Sequence, residues 1–194
     1  MALSSLAPVL GSLAPDFRLR AANPEASGGS HVSRSDMSGA RVLLVVFTCN
    51  HCPYAVAVED RLIALAEAYA PEGLQAVVIS SNDAEAYPAD SFENMAVRAE
   101  QKGYPFPYLY DETQEVARAF GAVCTPEFFL YDADLRLVYA GRLNDGRPTR
   151  PGRPGTEPTT RDLADAIEQT LAGQAVSAEQ IPSMGCGIKW REQE

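Results

Sequence analysis

The sequence predicts an α/β fold, a central mixed β-sheet flanked by helices, with an N-terminal extension and a C-terminal tail. Three observations predict it. The runs "VLLVVF" (42–47) and "LQAVVIS" (74–80) are unbroken apolar segments, the pattern of strands buried on both faces of a parallel or mixed sheet. Amphipathic helical stretches alternate with such runs. Near the end, "EFFLYD" and "LRLVYAGRL" stand on either side of a short Ala/Asp turn and read as a hairpin, so the sheet ends antiparallel. With 194 residues, 46% of them hydrophobic, the chain can bury one good core. We therefore expect a single domain over 1–194, its core at about 14–174 and its tail at 175–194.

Taken in order, residues 21–40 are crowded with Gly, Ser and Pro and read as a connection. After the first buried strand, "VEDRLIALAEAYA" places Leu62, Ile63, Leu65, Ala66 and Tyr69 on one helical stripe, with Glu59, Asp60, Arg61 and Glu67 largely elsewhere. The second buried strand leads into the polar loop "SNDAEAYPAD" and the helix "SFENMAVRAEQKG", which stops at Gly103. A short strand "FPYLYD" and a short helix "ETQEVARAFG" precede the hairpin. Residues 144–158 hold four Pro and three Gly in a basic loop, which suits either a mobile lid or a surface insertion. "TTRDLADAIEQTLAG" is then an amphipathic helix, with Thr159 or Thr160 as its cap and Leu163, Ile167 and Leu171 inward.

Sixteen basic against twenty-six acidic residues give a net charge of −10, which repels phosphate backbones and anionic lipid headgroups. We expect no nucleic-acid partner and no membrane partner, and no apolar run approaches the length of a membrane-spanning helix. The opening residues have no early Lys or Arg and are cut by Pro8 and Pro15, which argues against a secretory signal and for the cytoplasm. In that reducing compartment a close cysteine pair is a catalytic or metal-binding device and not a permanent staple.

The four cysteines are Cys49, Cys52, Cys124 and Cys186. In "TCNHCPYA", Cys49 and Cys52 lie three apart between the buried strand and the helix. At a helix N-terminus, positions i and i+3 share a side at about 5–6 Å between Cβ atoms, a span that a disulfide can close. The unpaired N–H groups and the dipole there favour a thiolate, which makes Cys49 the expected nucleophile and Cys52 the resolving thiol. Between them stand Asn50 and His51. An imidazolium at His51 would steady the Cys49 thiolate if Cys49 lies at the cap, and Pro53 suits the first helical turn. No cofactor is expected, because a redox-active disulfide carries the electrons itself.

These residues, together with "APDF", "VCTPEFFLYD" and the closing "GCGIKW", resemble the thioredoxin-fold superfamily, and within it the AhpC/TSA (peroxiredoxin-like) branch. The resemblance implies a thioredoxin-like fold over most of residues 14–190. It also implies a cis proline at Pro126, packed against the redox pair, with an exposed backbone edge at Thr125 for an extended substrate segment. The chain departs from the pattern at two places. The strand before the motif lacks the buried acid that many thioredoxins use, leaving Glu127 or water to move the second cysteine's proton. The Pro and Thr of peroxiredoxin active sites are absent, with Val42 and Val46 in their place.

The expected function is thiol–disulfide exchange with a disulfide- or dithiol-bearing substrate, protein or small molecule, and a thiol electron donor. The alternatives are a thiol-dependent peroxidase and, in another class, a structural zinc module built from Cys49 and Cys52 with Cys124, Cys186 or His51. The separation of the last two cysteines and the loop position of His31 argue against zinc, so no metal is expected. Cys124 and Cys186 are possible auxiliary thiols. The sequence leaves the oligomeric state open.

Overall fold

In the computed structural model, residues 2–4, 9–149 and 151–192 are described. The strands β1 (Ala2–Ser4), β2 (Arg18–Ala21), β3 (His31–Ser33), β4 (Val42–Phe47), β5 (Leu74–Ser80), β6 (Tyr108–Tyr110), β7 (Cys124–Thr125), β8 (Glu127–Asp132), β9 (Leu137–Gly141) and β10 (Met184–Gly187) form two sheets. The larger has seven strands in the order β3-β2-β6-β5-β4-β8-β9; the smaller is the ribbon β1-β10-β7. Pairing is parallel for β4 with β5 and β5 with β6, and antiparallel for β4 with β8 and β8 with β9, so the sheet is mixed. The helices are α1 (Pro24–Ser27), α2 (Pro53–Tyr69), α3 (Phe92–Lys102), α4 (Glu115–Phe120) and α5 (Asp162–Leu171). None of the helices among the described residues is long and apolar enough to cross a membrane.

The central strand explains the layers. All six side chains of β4 are buried, and they alternate between faces as a pleated strand requires. Val42, Leu44 and Val46 pack with Leu62, Met95, Leu163 and Ile167 of α2, α3 and α5. Leu43, Val45 and Phe47 pack on the other side with Val116, Ala117 and Phe120 of α4. Phe47 meets Phe120 at 5.5 Å and Phe129 at 5.9 Å, both edge-on. Phe47→Ala is expected to cost about 3–5 kcal/mol, read as a lower urea midpoint at unchanged slope.

Several local expectations need correction. The 21–40 connection contains α1 and β3, and β3 pairs with β2 to extend the sheet beyond β6; its short strands lack the apolar run that marks the centre. The cap of α5 is Arg161 without a side-chain bond, and the Thr159 and Thr160 hydroxyls donate instead to Asp145 and Asp162. Glu59 is buried and not on the wet face of α2. Arg98 clamps it from α3 through Nε at 2.8 Å and Nη2 at 2.6 Å, and Tyr104 donates to the same carboxylate. The C-terminal tail contributes β10 to the small sheet.

Candidate active site

The chain leaves β4 at Phe47, anchors Thr48 N–H to the Ile79 carbonyl at 2.8 Å, and turns through residues 49–52 without helical structure. Helix α2 starts at Pro53, with Cys52 as its N-cap in extended conformation. This corrects the expected placement of Cys49 at the helix end. The unpaired N–H groups of the first turn therefore lie at Cys52, and the nearby Ala55 N–H favours its anion. Pro53 occupies the first turn, where its missing donor costs nothing. Cys49 keeps 5% of its surface exposed and Cys52 none, so any outside group meets Cys49 first.

Thr125 touches both sulfurs. Its hydroxyl lies 3.4 Å from Cys49 Sγ and its carbonyl oxygen 3.0 Å from Cys52 Sγ, and the Thr125–Pro126 peptide is cis. The two thiols pack together and their acidities are pushed apart. The neighbouring Cys52 sulfur, burial and the nearby Asp90 carboxylate push Cys49 well above the ordinary thiol range. Cys52 is drawn down to about 4 by the Cys49 thiol, and then, against its burial, by Ala55 N–H, the Thr125 hydroxyl and the Cys186 thiol. The Thr125 carbonyl opposes an anion on Cys52. It is the natural acceptor once a proton has moved onto that sulfur, so the contacts suit both positions of one shared proton.

The middle residues of the motif are held by a group the sequence did not reveal. Asp90 is fully buried and accepts from Asn50 N–H at 2.8 Å, Asn82 Nδ2 at 2.7 Å and His51 Nδ1 at 2.6 Å. Asn50 also donates to the Ala89 carbonyl and accepts from the buried Tyr108 hydroxyl. Its side chain therefore fixes the loop. The His51 ring stacks on Tyr87 at 5.4 Å, and Lys189 lies over the other residue of that pair. Asp90 sits in an acidic, polar loop beside Asp83 and Glu85, and nothing in its spacing marks it out from them.

The remaining sulfurs separate. Because Thr125 points at the cysteine pair, strand alternation turns Cys124 the opposite way, and burial pushes its thiol up. Glu127 uses Oε2 to hold the Val123 and Cys124 N–H groups. Cys186 instead packs against Cys49, Cys52, Tyr54 and Ala55. It rides on β10, which pairs with β7 so that Cys186 faces Thr125 and Gly187 faces Cys124. The Thr125 edge, expected to be open to a substrate strand, is thus already occupied by the chain's own tail.

Among the described residues, Cys49, His51 and Asp90 place ligand-type atoms within 4.8 Å of one another. His51 Nδ1 is engaged with Asp90, and no fourth ligand-type atom of the described residues joins the three. A cleft of about 200 Å³ opens beside Pro126, walled by Tyr54, Phe128, Met184 and residues 144–148 of the Pro/Gly-rich loop. No sulfur of the pair lines it.

Comparison with known proteins places this geometry. The chain is similar to an uncharacterized conserved protein from Geobacillus kaustophilus, with 44% identity over 100% of this chain and 98% of that one and a TM-score of 0.91. It is also similar to a hypothetical protein from Sinorhizobium meliloti 1021, at 41% identity over 98% of this chain and 99% of that one, TM-score 0.90. The thioredoxin domain of a thiol-disulfide oxidoreductase from Bacteroides vulgatus shares the fold at 18% identity, covering 85% of this chain and 99% of that one, with a TM-score of 0.62. None of the curated proteins compared matches the chain. The AhpC/TSA family model matches residues 10–140. A buried cysteine pair between a central strand and its helix, on a thioredoxin-like sheet, accords with that match: the chain belongs to the AhpC/TSA family.

Proposed function

We propose that the protein catalyses thiol–disulfide exchange, with Cys49 as nucleophile and Cys52 as both proton acceptor and resolving thiol. The observation that carries this reading is the mutual contact of the two sulfurs across Thr125. The Cys52 anion takes the Cys49 proton as Cys49 attacks a substrate disulfide. A bond forms from Cys49 to one substrate sulfur, and the other leaves as a thiolate. Thr125 supports this step, its hydroxyl directed at Cys49 and its carbonyl ready for the Cys52 S–H. Cys52, deprotonated again, then attacks Cys49 Sγ and releases the second substrate thiol. The substrate disulfide has gained two electrons, the pair has lost two, and an external thiol donor reopens the Cys49–Cys52 bridge.

With β10 on the Thr125 edge, an extended substrate has no free strand to lie along there. This favours low-molecular-weight disulfides, or disulfides on projecting loops, over extended peptides. The test compares turnover of glutathione disulfide with reduction of insulin, using dithiothreitol as donor. Faster turnover of the small disulfide, lost in Cys49→Ser, is expected. Peroxide reduction is the second reading, favoured by the family and by the Thr125 hydroxyl beside Cys49. Hydroperoxide consumption that depends on Cys49 and outpaces disulfide turnover would put it first.

The shared proton has a pH signature. Because the Cys52 value is lowered, its charged form is favoured: one thiolate per reduced chain should be present at neutral pH and vanish only as pH falls through about 4. Thiolate ultraviolet absorbance across an acid titration reads this directly. Absorbance that appears only near the ordinary thiol value of about 8.5 would contradict it.

A further inference from the structure

The fold brings a third sulfur to the pair. β10 lies between β1 and β7, with Ala2 opposite Cys186 on one side and Thr125 opposite it on the other. Antiparallel partners share a face, so Cys186 projects where Thr125 does, toward the redox pair. There it packs directly against Cys49 and Cys52. The approach is close enough that a Cβ on Gly185 would meet the Thr125 carbonyl oxygen at 1.9 Å, so only glycine fits beside the cysteine.

The residues after Cys186 lock it in register. Ile188 is buried and donates its N–H to the Val123 carbonyl at 3.0 Å. Lys189 N–H reaches Asn82 Oδ1 at 2.8 Å, and Asn82 in turn donates to Asp90. Buried Gln114 donates to the Lys189 carbonyl at 2.8 Å and accepts from Arg191 N–H at 2.9 Å. The tail is thereby tied to the same carboxylate that holds Asn50 and His51. Cys124, one position from Thr125, has none of these contacts with the pair.

We propose that Cys186 is a third redox-active thiol, which takes over the disulfide from the Cys49–Cys52 pair as a Cys52–Cys186 bridge and returns Cys49 to its reduced form. The proposal rests on the exchange chemistry assigned to Cys49 and Cys52. The Cys186 sulfur, on losing its proton, attacks Cys52 Sγ of the Cys49–Cys52 disulfide. The Cys186–Cys52 bond forms, the Cys52–Cys49 bond breaks, and Cys49 leaves with the electron pair and gains the proton. The chain's oxidation state is unchanged by this step. Two external thiols then reduce the tail bridge and leave as their own disulfide. Burial and the neighbouring Cys52 sulfur push the Cys186 thiol up to about 11, which keeps it protonated until the Cys49–Cys52 bridge has formed.

The test maps disulfides by mass spectrometry after one equivalent of diamide, acid quenching and alkylation of the full chain. Wild type should give both Cys49–Cys52 and Cys52–Cys186 bridges, and Cys49→Ser should give Cys52–Cys186 alone, with Cys124 alkylated throughout. Gly185→Ala, which alters no sulfur but pushes β10 off Thr125, should lower the yield of Cys52–Cys186 and spare Cys49–Cys52. Cys186→Ser, checked for an unchanged melting temperature, should slow glutathione-driven turnover roughly tenfold. Absence of the Cys52–Cys186 bridge in both wild type and Cys49→Ser, with Cys49–Cys52 formed normally, would overturn the proposal and leave the exchange reading standing. Absence of the Cys49–Cys52 bridge as well would overturn both.

Discussion

Cys49→Ser should lower disulfide turnover by roughly three orders of magnitude or more, the scale on which removal of a covalent nucleophile acts. The reason is positional as much as chemical. Cys49 is the member of the pair with exposed surface, and Cys52 is sealed beneath it. Cys52→Ser should fail differently. It removes the proton acceptor and the resolving thiol together, so the slow reaction that remains should stop at a mixed disulfide between Cys49 and substrate. Stopped-flow turnover and intact mass read the two outcomes. Equal activity of Cys49→Ser and wild type would remove Cys49 from the chemistry.

The second large effect is expected at Asp90. Asp90→Ala removes the acceptor of three hydrogen bonds inside the fold and leaves the Asn50 N–H and the Asn82 amide without that partner. A loss of about 3–5 kcal/mol is expected, measured by urea unfolding. Asp90→Asn retains the shape and separates structure from electrostatics. The Asp90 carboxylate is one of the influences that raise the Cys49 value, so neutralising it favours the Cys49 thiolate. This variant should therefore be less stable than wild type yet alkylate faster at Cys49 near neutral pH. A residue that only supported the loop would give the instability without the faster alkylation.

The centre of the fold was legible because its strands announce themselves. β4 and β5 are continuous apolar runs, and the alternation of β4 between α2, α3 and α5 on one face and α4 on the other follows from the pleat. The periphery was hidden for the converse reason. β3 pairs at the rim and β10 lies in the small ribbon; each is short, partly exposed and rich in polar residues or Gly, so neither carries a period-two pattern.

The site divides in the same way. Cys49 and Cys52 are visible from their spacing between strand and helix, whereas their acidities depend on where the helix starts, and that is decided by Pro53 in the first turn. Asp90 and Cys186 reach the pair from about 40 and 130 residues away, through loop and tail paths that no local pattern encodes. Glu59 lies off the apolar stripe of its helix, and one long-range partner, Arg98, turns it into a buried residue.

The claim on which the mechanism depends is that Cys49 and Cys52 form one reversible two-electron couple. Equilibrating the chain across a series of glutathione redox buffers, quenching with acid and counting alkylated sites by mass tests it most directly. The mechanism predicts that in Cys186→Ser, where no tail bridge can form, Cys49 and Cys52 lose alkylation together, along a single two-electron curve, and regain it on reduction. Both sites remaining alkylated in the most oxidising buffer, or Cys49 ending as a stable glutathione adduct beside a free Cys52, would contradict it.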